Sequence, residues 1–574
     1  MAEPAQASHA ETQTGGELLL DSFRCSGVKY ILANAGTDYP AILEAAAKLQ
    51  ASGMLWPKLL VVPHEMVAVS MAHGYAAITG EPQVVMVHTL PGTANVSGGI
   101  MNAARSMIPI IIHAGRTPLT EYGPKGARDM HIHWAQESRD QASVVREFVK
   151  WDFEVRQTQQ VPDIVLRARK IALTEPKGPV YIIFPRELTL QQVSKPSQIP
   201  VERYGPPSPP QADMSALEKA ANLLTSAREP VILTKRLGRD PLAVNELIKL
   251  AELLAIPVSG SVGDYVNFPN NHPMAIPRPS SNADVILVID SDLPWIPSTF
   301  KPSDSAKIIH LDIDPSYVPY PYWNFPAHIA ITGTSRLALP VLYELCKRKI
   351  SGDLERSINE RGAKIRQIHE RWRTQTLEQA RNESSNYPIS PNWLSHCIGE
   401  IKDQDMIVVN EYDFDPDYAV FTKPGTYFFE SSLSCLGWGL GAAMGAKLAK
   451  PESTVCATVG DGAYIFGNPT ASHFVATTYG IPTLTVIYNN ESWDAVRSTI
   501  RENFPHGYSA NTGNFIGSEL KPSPKFELVA AAHGAYARTV TQPNEILEAL
   551  KGCLEVVRGE ERSALLDVKC ATST

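Results

Sequence analysis

Residues 455–490 read VCATVGDGAYIFGNPTASHFVATTYGIPTLTVIYNN, and this stretch decides the fold. It begins with an apolar run, continues through a glycine-rich turn and a helical pattern, and ends with a second apolar run. Apolar strands separated by a helix are typical of a parallel sheet that is covered on both faces. The stretch therefore predicts a βαβ unit in an α/β fold.

The same alternation covers the rest of the chain. Further buried strands are predicted at Val84–Val87, Ile108–His113, Val180–Phe184, Val231–Thr234, Val285–Ile289 and Met406–Val409. Six prolines in residues 195–211 predict an extended linker, and the charged segment 351–391 predicts an exposed helix followed by a connection. We therefore predict three doubly wound parallel-sheet domains, at residues 15–194, 212–350 and 390–574.

The first and third blocks have a similar pattern. Each contains a strand, a glycine-rich loop, a helix, an Ile-Pro pair and a second strand, with the pairs at Ile108-Pro109 and Ile481-Pro482. This pattern indicates a weak internal repeat. The alternative is that all βαβ units share such a pattern.

Composition narrows the class of protein. The chain has 574 residues, 44% of them hydrophobic, and a net charge of -8, which gives no electrostatic reason to expect a nucleic-acid partner. Seven cysteines without a CxxC pair argue against a zinc knuckle or a disulfide framework and favour a reducing compartment. Residues 1–16 lack the apolar core of a signal peptide, and the longest apolar runs are of strand length. We therefore expect a cytoplasmic protein without a membrane partner.

The glycine-rich turn carries the clearest chemical signal. Twenty-six residues separate Gly462 from Asn489, which is enough for one helix and one strand, so Asn490 returns to the sheet edge that carries Asp461. A carboxylate, an amide oxygen and the backbone carbonyl of Ser492 are hard ligands suited to Mg²⁺, which would neutralise a diphosphate. The alternatives are a tight turn with a capping aspartate, or a dinucleotide site, although GxGxxG is not present.

Residues 460–490 resemble the thiamine-diphosphate motif, and the chain from about Leu18 onward resembles the acetolactate synthase and benzoylformate decarboxylase branch of that superfamily. The resemblance implies pyrimidine-binding, central and diphosphate-binding domains in that order, with thiamine diphosphate and Mg²⁺ as cofactors. It also implies a homodimer or homotetramer in which the first block of one subunit faces the third block of its partner. The cofactor-binding residues implied in the motif are Gly460, Asp461, Gly462, Ala463 and Asn490.

Glu65 matches the glutamate that activates the cofactor in this family. It follows an apolar strand and opens a helix that continues to Gly74-Tyr75, as in the family pattern. The resemblance implies that this glutamate hydrogen-bonds the aminopyrimidine ring, and burial favours the protonated form that this task needs. The alternative is a first-turn glutamate that is favoured by the helix dipole.

A loop in the third block matches the position that bends the cofactor. In the sequence Ser434-Cys435-Leu436-Gly437, the resemblance implies that Leu436 is the apolar wedge under the bend. It also implies that backbone groups of Ser434 and Leu436 bind the pyrimidine ring. The alternative is a helix N-terminus that packs Leu436 into the core.

Two residues of the first block match the substrate side of the family's active site. His88 resembles a proton-relay histidine, a role that suits an imidazole because its pKa lies near neutrality. Thr37 resembles a substrate-binding serine and could hold the carboxylate of a 2-oxo acid. The alternatives are a strand-end histidine bonded to backbone and an ordinary helix cap before Pro40.

Other positions depart from the decarboxylase pattern. The place of its second histidine falls near Pro297, beside Trp295, which could wall the substrate pocket. Val496 stands where pyruvate decarboxylases carry a glutamate, and Trp493 adds apolar surface nearby. A loop that often offers hydroxyls to the diphosphate contains Asp413, which would be costly there unless its carboxylate points away.

These departures favour carbon–carbon bond formation over protonation. We therefore predict decarboxylation of a 2-oxo acid with carboligation to a second carbonyl, as in acetolactate synthase. The alternative is a simple decarboxylase that releases an aldehyde, and a non-catalytic paralogue is a further one. The synthase branch can also hold a flavin in its central domain; residues 230–310 carry no flavin motif, so the sequence leaves FAD open.

Overall fold

The computed structural model describes residues 11–54, 57–196 and 199–572. Residues 1–10 of the polar N-terminus and residues 197–198 of the predicted linker lie outside the described residues. Within the described ranges the chain forms three six-stranded sheets in which every strand pair is parallel. The predicted α/β class with three parallel-sheet domains is confirmed.

The first domain contains one parallel sheet and a two-stranded antiparallel ribbon. Its elements in chain order are β1 (Thr12–Thr14), α1 (Gly15–Cys25), β2 (Tyr30–Asn34), α2 (Pro40–Ala51), β3 (Lys58–Val61), α3 (Glu65–Thr79), β4 (Val84–Val87), α4 (Thr89–Arg105), β5 (Ile111–Arg116), α5 (Ile132–Ala135), β6 (Asp152–Glu154), α6 (Val161–Leu173), β7 (Val180–Pro185), α7 (Arg186–Leu190) and β8 (Gln192–Ser194). The sheet order is β3-β2-β4-β5-β7-β6, and β1 pairs with β8. A core of buried apolar side chains lies between this sheet and its helices.

The central domain has its own sheet and core. Its elements are α8 (Met214–Ser226), β9 (Pro230–Thr234), α9 (Pro241–Leu254), β10 (Val258–Ser259), β11 (Ala275–Ile276), β12 (Val285–Ile289), β13 (Lys307–Asp312), β14 (Ile329–Thr332), α10 (Ser335–Lys347) and α11 (Gly352–Asn382). The sheet order is β11-β10-β9-β12-β13-β14. The direction of strand succession reverses between β9 and β12, which opens a crevice at the carboxyl ends of these strands.

Helix α11 confirms the exposed helix predicted in segment 351–391. Its buried residues lie three or four positions apart, so a single stripe faces the protein and the remaining residues face solvent. The stripe consists of Ile358, Gly362, Ile365, His369, Trp372, Thr376 and Ala380.

The third domain repeats the strand order of the first. Its elements are α12 (Pro391–Ile401), β15 (Ile407–Glu411), β16 (Tyr427–Phe429), α13 (Gly439–Ala449), β17 (Val455–Gly460), α14 (Asp461–Phe466), α15 (Pro469–Tyr479), β18 (Leu484–Asn489), α16 (Asp494–Asn503), α17 (Tyr508–Thr512), α18 (Phe526–Ala531), β19 (Tyr536–Val540), α19 (Ile546–Gly559) and β20 (Ala564–Lys569). The sheet order β16-β15-β17-β18-β20-β19 is the same permutation as in the first sheet. Both sheets therefore place the ends of their first and third strands side by side.

The chain divides into two compact units. One contains residues 1–207 together with 431–449, and the other contains residues 208–430 together with 450–574. In the first unit, α3 packs directly on α13: a Cβ at Gly74 would lie 2.0 Å from the carbonyl oxygen of Ala442, and one at Gly445 would lie 1.9 Å from that of Met71. The two backbones can approach so closely only because these positions are glycines.

Most predicted strands begin and end within two residues of the observed ones, but β5 begins three residues later than predicted. Pro109 explains the difference, because proline has no N–H to donate to a ladder. Ladder pairing starts at Ile111, whose N–H donates to the carbonyl of Gln83 (3.1 Å). In residues 195–196 and 199–211, the proline-rich segment forms only a short 3₁₀ turn, Val201–Tyr204.

Two further observations concern the described part of the chain. All seven cysteines are free thiols. None of the described helices is both long enough and apolar enough to span a bilayer.

Candidate active site

Glu65 is the first residue of α3 and is buried. Two amides hold its carboxyl group: Asn34 Nδ2, at the end of β2, donates to Oε1 (2.9 Å), and Asn95 Nδ2, on α4, donates to Oε2 (3.3 Å). A Cβ at Gly92 would lie 3.4 Å from Oε1, so α4 passes close to the carboxyl group. The Glu65 side chain is therefore oriented from two neighbouring elements, which the helix-dipole alternative does not require.

His88 lies between β4 and α4, and both of its ring nitrogens have partners. Nδ1 is 2.6 Å from Asp38 Oδ1, and Nε2 is 3.1 Å from Gln136 Oε1. Burial lowers the pKa of His88, but the hydrogen bond and charge of Asp38, with smaller effects of Gln136 and Glu65, raise it above its ordinary value. His88 is thus paired with side chains and not with backbone, contrary to the alternative of a strand-end histidine bonded to backbone.

The backbone next to His88 is strained. Thr89 has a φ of 35°, which is rare for a β-branched residue. Its hydroxyl donates to Gln136 Oε1 (3.3 Å), the same oxygen that faces His88. The strain thus occurs where the strand end meets the predicted substrate site.

Thr37 lies in the loop between β2 and α2 and is exposed. The N-cap of α2 is Tyr39, and the Thr37 hydroxyl hydrogen-bonds to none of the described residues. The helix-cap alternative is therefore wrong. The hydroxyl remains available to a ligand beside Asp38.

The predicted pyrimidine loop belongs to the same compact unit as Glu65. Asn102 of α4 binds this loop at both backbone groups of Cys435, donating to its carbonyl (2.8 Å) and accepting from its N–H (3.1 Å). Ser434 adopts a φ of 54°, and Leu436 is half-buried, before α13 begins at Gly439. Leu436 is therefore not packed into the core, contrary to the alternative.

The predicted metal ligands lie at the carboxyl ends of β17 and β18, as the sequence spacing requires. Asp461 is buried, and its Oδ1 accepts from the N–H of Gly462 (2.8 Å). Asn490 Oδ1 accepts from the N–H and the hydroxyl of Ser492, both at 3.1 Å. The preceding Asn489 has a structural role, because its Nδ2 donates to Asp567 (2.8 Å). The half-buried Asn490 is therefore the amide that can serve a ligand.

Asp413 does not point away from this turn, contrary to the condition set by the sequence. Tyr412 and Asp413 both have a φ near 72°, and Asp413 Oδ2 lies 3.3 Å from where a Cβ at Gly460 would be. Burial, reinforced by the charges of Asp494 and Asp461, raises the pKa of Asp413 to about 7. The Asp461 pKa is raised to about 6 by burial, although backbone N–H groups oppose the shift.

These carboxyl groups fit a divalent cation. Buried like charges raise each other's pKa, and a cation bound among their oxygens would relieve the repulsion. Among the described residues, no three His, Cys, Asp or Glu side chains cluster as a metal site. The expected Mg²⁺ ligands are instead one carboxylate, one amide oxygen and one carbonyl oxygen, a set of the kind that Mg²⁺ takes together with water and phosphate.

The glycines of the turn also make room for side chains. A Cβ at Gly462 would lie 2.4 Å from the indole ring of Trp493, so this ring packs directly against the turn. Val496 follows on α16 with 49% of its surface exposed. Of the apolar residues predicted for the substrate pocket, Trp493 therefore lies beside the diphosphate motif, and Val496 is accessible.

Trp295 lies in the central domain, where it lines a cavity of about 500 Å³ at the carboxyl ends of the strands. Its ring packs edge-on against Phe325 (5.2 Å between centroids). The residues lining the cavity include Thr234, whose buried hydroxyl has no hydrogen-bond partner among the residues that the structure describes, but neither Trp493 nor Val496. The structure thus does not bring Trp295 together with these two residues in one cavity.

Sequence reasoning missed the partners of the predicted residues. Asn34 is the last residue of β2 and Asp38 lies in the loop after it, and the apolar run before Asn34 is a signal of a strand end that could have been used. Asn95, Asn102 and Gln136 lie at ordinary helix or loop positions and have no comparable signal. Their roles depend on contacts between distant parts of the chain.

Three family models match the chain. They describe the N-terminal TPP binding domain of thiamine pyrophosphate enzymes (residues 13–144), the central domain (217–342) and the C-terminal TPP binding domain (416–568).

Curated relatives and solved structures agree with these matches. The acetolactate synthase isozyme 3 large subunit of Escherichia coli is 26% identical, over 97% of this chain and 95% of its own. A probable acetolactate synthase large subunit of Methanococcus aeolicus is 27% identical, over 86% and 83%. The structure of a thiamine diphosphate-dependent 4-hydroxybenzoylformate decarboxylase from Rhodococcus jostii matches with a TM-score of 0.76 at 22% identity, over 98% of this chain and 99% of that one, and shows likeness of fold.

Proposed function

The chain belongs to the family of thiamine pyrophosphate enzymes, in the branch of acetolactate synthases and benzoylformate decarboxylases, and from this premise we propose that it decarboxylates a 2-oxo acid and joins the acyl unit to a second carbonyl. Bound thiamine diphosphate would supply a nucleophilic carbon and a sink for the electrons left by carbon dioxide. The protein's own side chains would bind and orient the cofactor and the substrate and would supply the proton.

The diphosphate half of the site is proposed at the turn after β17. Asp461, the amide oxygen of Asn490 and the carbonyl of Ser492 would hold Mg²⁺, and the backbone amides of Gly460, Gly462 and Ala463 would bind the diphosphate. Burial raises the pKa of both Asp461 and Asp413, and this supports the proposal because buried carboxylates without a bound cation are unfavourable.

The pyrimidine half is proposed in the first unit. Glu65 would hydrogen-bond the aminopyrimidine, and the amides of Asn34 and Asn95 keep its carboxyl group oriented. Backbone groups of Ser434 and Leu436 would bind the ring, and the Leu436 side chain would support it. This proposal is supported by Asn102, which anchors the loop by binding both backbone groups of Cys435, the residue between Ser434 and Leu436.

On the substrate side, Thr37 would bind the carboxylate and His88 would hold the proton that completes the reaction, while Trp493 and Val496 would form apolar walls; Trp295, which lines a separate cavity, is left out. The observation that carries the proposal of ligation is the accessible Val496, which presents an apolar side chain where an acid would favour aldehyde release. Apolar walls also favour a donor larger than pyruvate.

Product analysis tests this function. The protein, with thiamine diphosphate and Mg²⁺, is incubated with pyruvate, phenylpyruvate or benzoylformate, each with and without an added aldehyde. We expect carbon dioxide release with an acyloin as the main product, and release of aldehyde alone would contradict ligation. A Glu65→Ala variant that equals the wild type in exchange of the cofactor's acidic proton would instead support a non-catalytic paralogue.

The second candidate function is simple decarboxylation. It is favoured by the pairing of His88 with Asp38, which provides an acid in the first domain. In the same assay it predicts aldehyde in a one-to-one ratio with carbon dioxide, whether or not an acceptor is present.

We propose a homodimer or homotetramer whose active sites each combine the pyrimidine half of one subunit, which contains Glu65, with the diphosphate half of another, which contains Asp461. A mixing experiment tests this directly. Glu65→Ala and Asp461→Ala proteins, each inactive, are unfolded together and refolded. Random pairing in a two-fold dimer would restore about a quarter of the wild-type activity, whereas a site within one chain would restore none.

The proposal includes no flavin. The loop after β9 reads Lys235-Arg236-Leu237-Gly238 and is not a glycine-rich turn, and Arg236 is buried in ion pairs with Asp264 and Asp292. We expect the purified protein to lack the visible absorbance of a flavin. A flavin spectrum that persists after gel filtration would add FAD to the cofactors.

A further inference from the structure

A buried carboxylate beside His88 has no role in the ligation reaction proposed above. Asp38 is in the loop between β2 and α2, and its side chain is 3% exposed. Its Oδ1 lies 2.6 Å from His88 Nδ1, while its Oδ2 is buried without a hydrogen-bond partner in the described part of the chain. A carboxylate in such a place is costly unless it faces a positive charge, and His88 is the group it faces.

Two glycines create the space for this contact. A Cβ at Gly36 would lie 2.1 Å from His88 Nδ1, and a Cβ at Gly115, on β5, would lie 1.5 Å from Asp38 Oδ2. Any larger residue at either position would displace the imidazole or the carboxylate. The pair is therefore built from the loop after β2 and from the ends of β4 and β5.

The second ring nitrogen is also constrained. Gln136 Oε1 accepts from the Thr89 hydroxyl (3.3 Å), and as an acceptor it can interact with His88 Nε2 (3.1 Å) only if that nitrogen carries a proton. The Asp38 carboxylate likewise accepts from a protonated Nδ1. Both partners therefore favour the imidazolium form.

The other charges facing His88 come from neighbouring elements. Glu65, on α3, favours the imidazolium to a smaller extent than Asp38 does. His133, on α5, is close enough to interact with His88, but burial and the nearby Arg186 lower its pKa, which weakens any repulsion between the two imidazoles. The charged side chain that the described structure places in contact with His88 is therefore Asp38.

We propose that Asp38 and Gln136 are positioning residues that hold His88 as an imidazolium, so that it acts as a proton donor and as a cationic contact for a carboxylate. The use of this cation in catalysis rests on the proposed function. Decarboxylation breaks the bond to the carboxylate carbon and releases carbon dioxide, and one proton is consumed whichever product forms. In ligation the new carbon–carbon bond turns the acceptor's carbonyl oxygen into an alkoxide, which takes the proton. In aldehyde release the acyl carbon takes the proton. A proton from water then restores the imidazolium of His88.

The charge state can be measured without turnover. Full-length protein labelled with ¹³C at histidine Cε1 is titrated by NMR, and a His88→Gln variant assigns the His88 signal. We expect the wild-type His88 pKa to lie above the ordinary value and to fall by about one unit or more in Asp38→Asn, a tenfold change in proton affinity. Gln136→Leu should produce a smaller fall in the same direction.

Asp129→Asn is the matched control, because Asp129 faces His133 at 3.3 Å in the same domain but is exposed. It should leave the His88 titration unchanged. A wild-type His88 that is neutral at pH 6, or an Asp38→Asn variant with unshifted titration, would overturn the proposal. If Asp38→Asn does not fold, the wild-type and Gln136→Leu titrations decide alone.

A second readout tests the use of the proton. In the loaded enzyme, the alkaline limb of the kcat/KM profile for carbon dioxide release should move to lower pH in Asp38→Asn, which a purely structural defect would not cause. If Asp38→Asn shifts the His88 titration in NMR but the wild-type protein turns over no 2-oxo acid, the proposed function is refuted. The assignment of the positive charge to His88 then still stands.

Discussion

The first and third sheets have the same strand order but place opposite chemistry at the same point. In each, the first strand ends beside the third: Asn34 pairs with Val87 in the first sheet, and Glu411 with Val459 in the third. The loop after the first strand then offers an aspartate to the residue that follows the third. In the first sheet Asp38 meets His88, and in the third Asp413 approaches the turn of Asp461.

In each of these two sheets, the place where the loop after the first strand meets the end of the third strand is called a junction. The two junctions differ in charge. Asp38 and His88 have opposite charges and neutralise each other, which raises the pKa of the imidazole. In the third sheet, burial raises the pKa of Asp413, and the like charges of Asp494 and Asp461 raise it further, a repulsion that a bound cation would relieve. The same strand order thus carries the proposed acid in one domain and the proposed Mg²⁺ ligands in the other.

The largest expected effect comes from removing the cation ligand of the third sheet. Asp461→Ala should abolish retention of Mg²⁺ and thiamine diphosphate and lower kcat/KM by about a thousandfold or more, because the diphosphate charge is no longer neutralised. Cofactor content after gel filtration and calorimetric titration with Mg²⁺ measure the loss.

Asp405→Asn is the control for this experiment, since Asp405 is exposed on the same domain and pairs with Lys423. It should retain the cofactor. Wild-type cofactor retention in Asp461→Ala would refute the proposed metal site.

The second effect concerns the glutamate of the first domain. Glu65→Gln keeps the size of the side chain but removes the acid, and should slow exchange of the cofactor's acidic proton by about 10²- to 10⁴-fold. Hydrogen–deuterium exchange in the bound cofactor provides the measurement. Stability should change little in comparison, and an exchange rate equal to that of the wild type would exclude Glu65 from catalysis.

A matched pair of glycine substitutions compares the packing of the two junctions. Gly115→Ala places a methyl group 1.5 Å from Asp38 Oδ2 and should destabilise the protein by about 1–3 kcal/mol, whereas Gly460→Ala places one 3.3 Å from Asp413 Oδ2 and should change stability by about 0.5 kcal/mol or less. Urea unfolding of cofactor-free protein measures both. Equal losses would show that the first junction is no tighter than the third.

The smallest effect is the pH dependence of the Asp38–His88 pair. Because the pKa of His88 is raised in the folded protein, the pair's contribution is complete below the unfolded pKa and is lost as pH rises through the folded one. Asp38→Asn should therefore lower the free energy of unfolding more at pH 6 than at pH 9, by about 1 kcal/mol or less given partial solvent screening. A difference between variant and wild type that is independent of pH would contradict the pairing.

Much of the fold could be predicted because strands and helices follow local patterns. The runs at Val84–Val87 and Val285–Ile289 are observed strands with the predicted bounds. The internal repeat is supported by the shared strand order of the first and third sheets, since the central sheet is also built from parallel strands and has another order. The domain boundaries and the roles of the site residues stay predictions.

From the sequence, the Asp413 carboxylate was required to point away from the diphosphate turn. It does not, for a reason that is not visible in the sequence. Two consecutive residues with positive φ direct its side chain towards Gly460, and neither is a glycine that would announce such a turn. Similarly, nothing local to Gln136 indicates that its amide faces His88, which is 48 residues away.

The α/β class and the spacing that returns Asn490 to the edge of Asp461 could be inferred from the sequence alone, because both follow from periodicity and from the length of one βαβ unit. The contact by which Asn102 anchors the loop at Cys435, across 333 residues, and the contact between Asp38 and His88 became visible in the folded chain. Such contacts depend on how helices and sheet edges pack in space, and their energy depends on burial and on neighbouring charge, which no local pattern encodes.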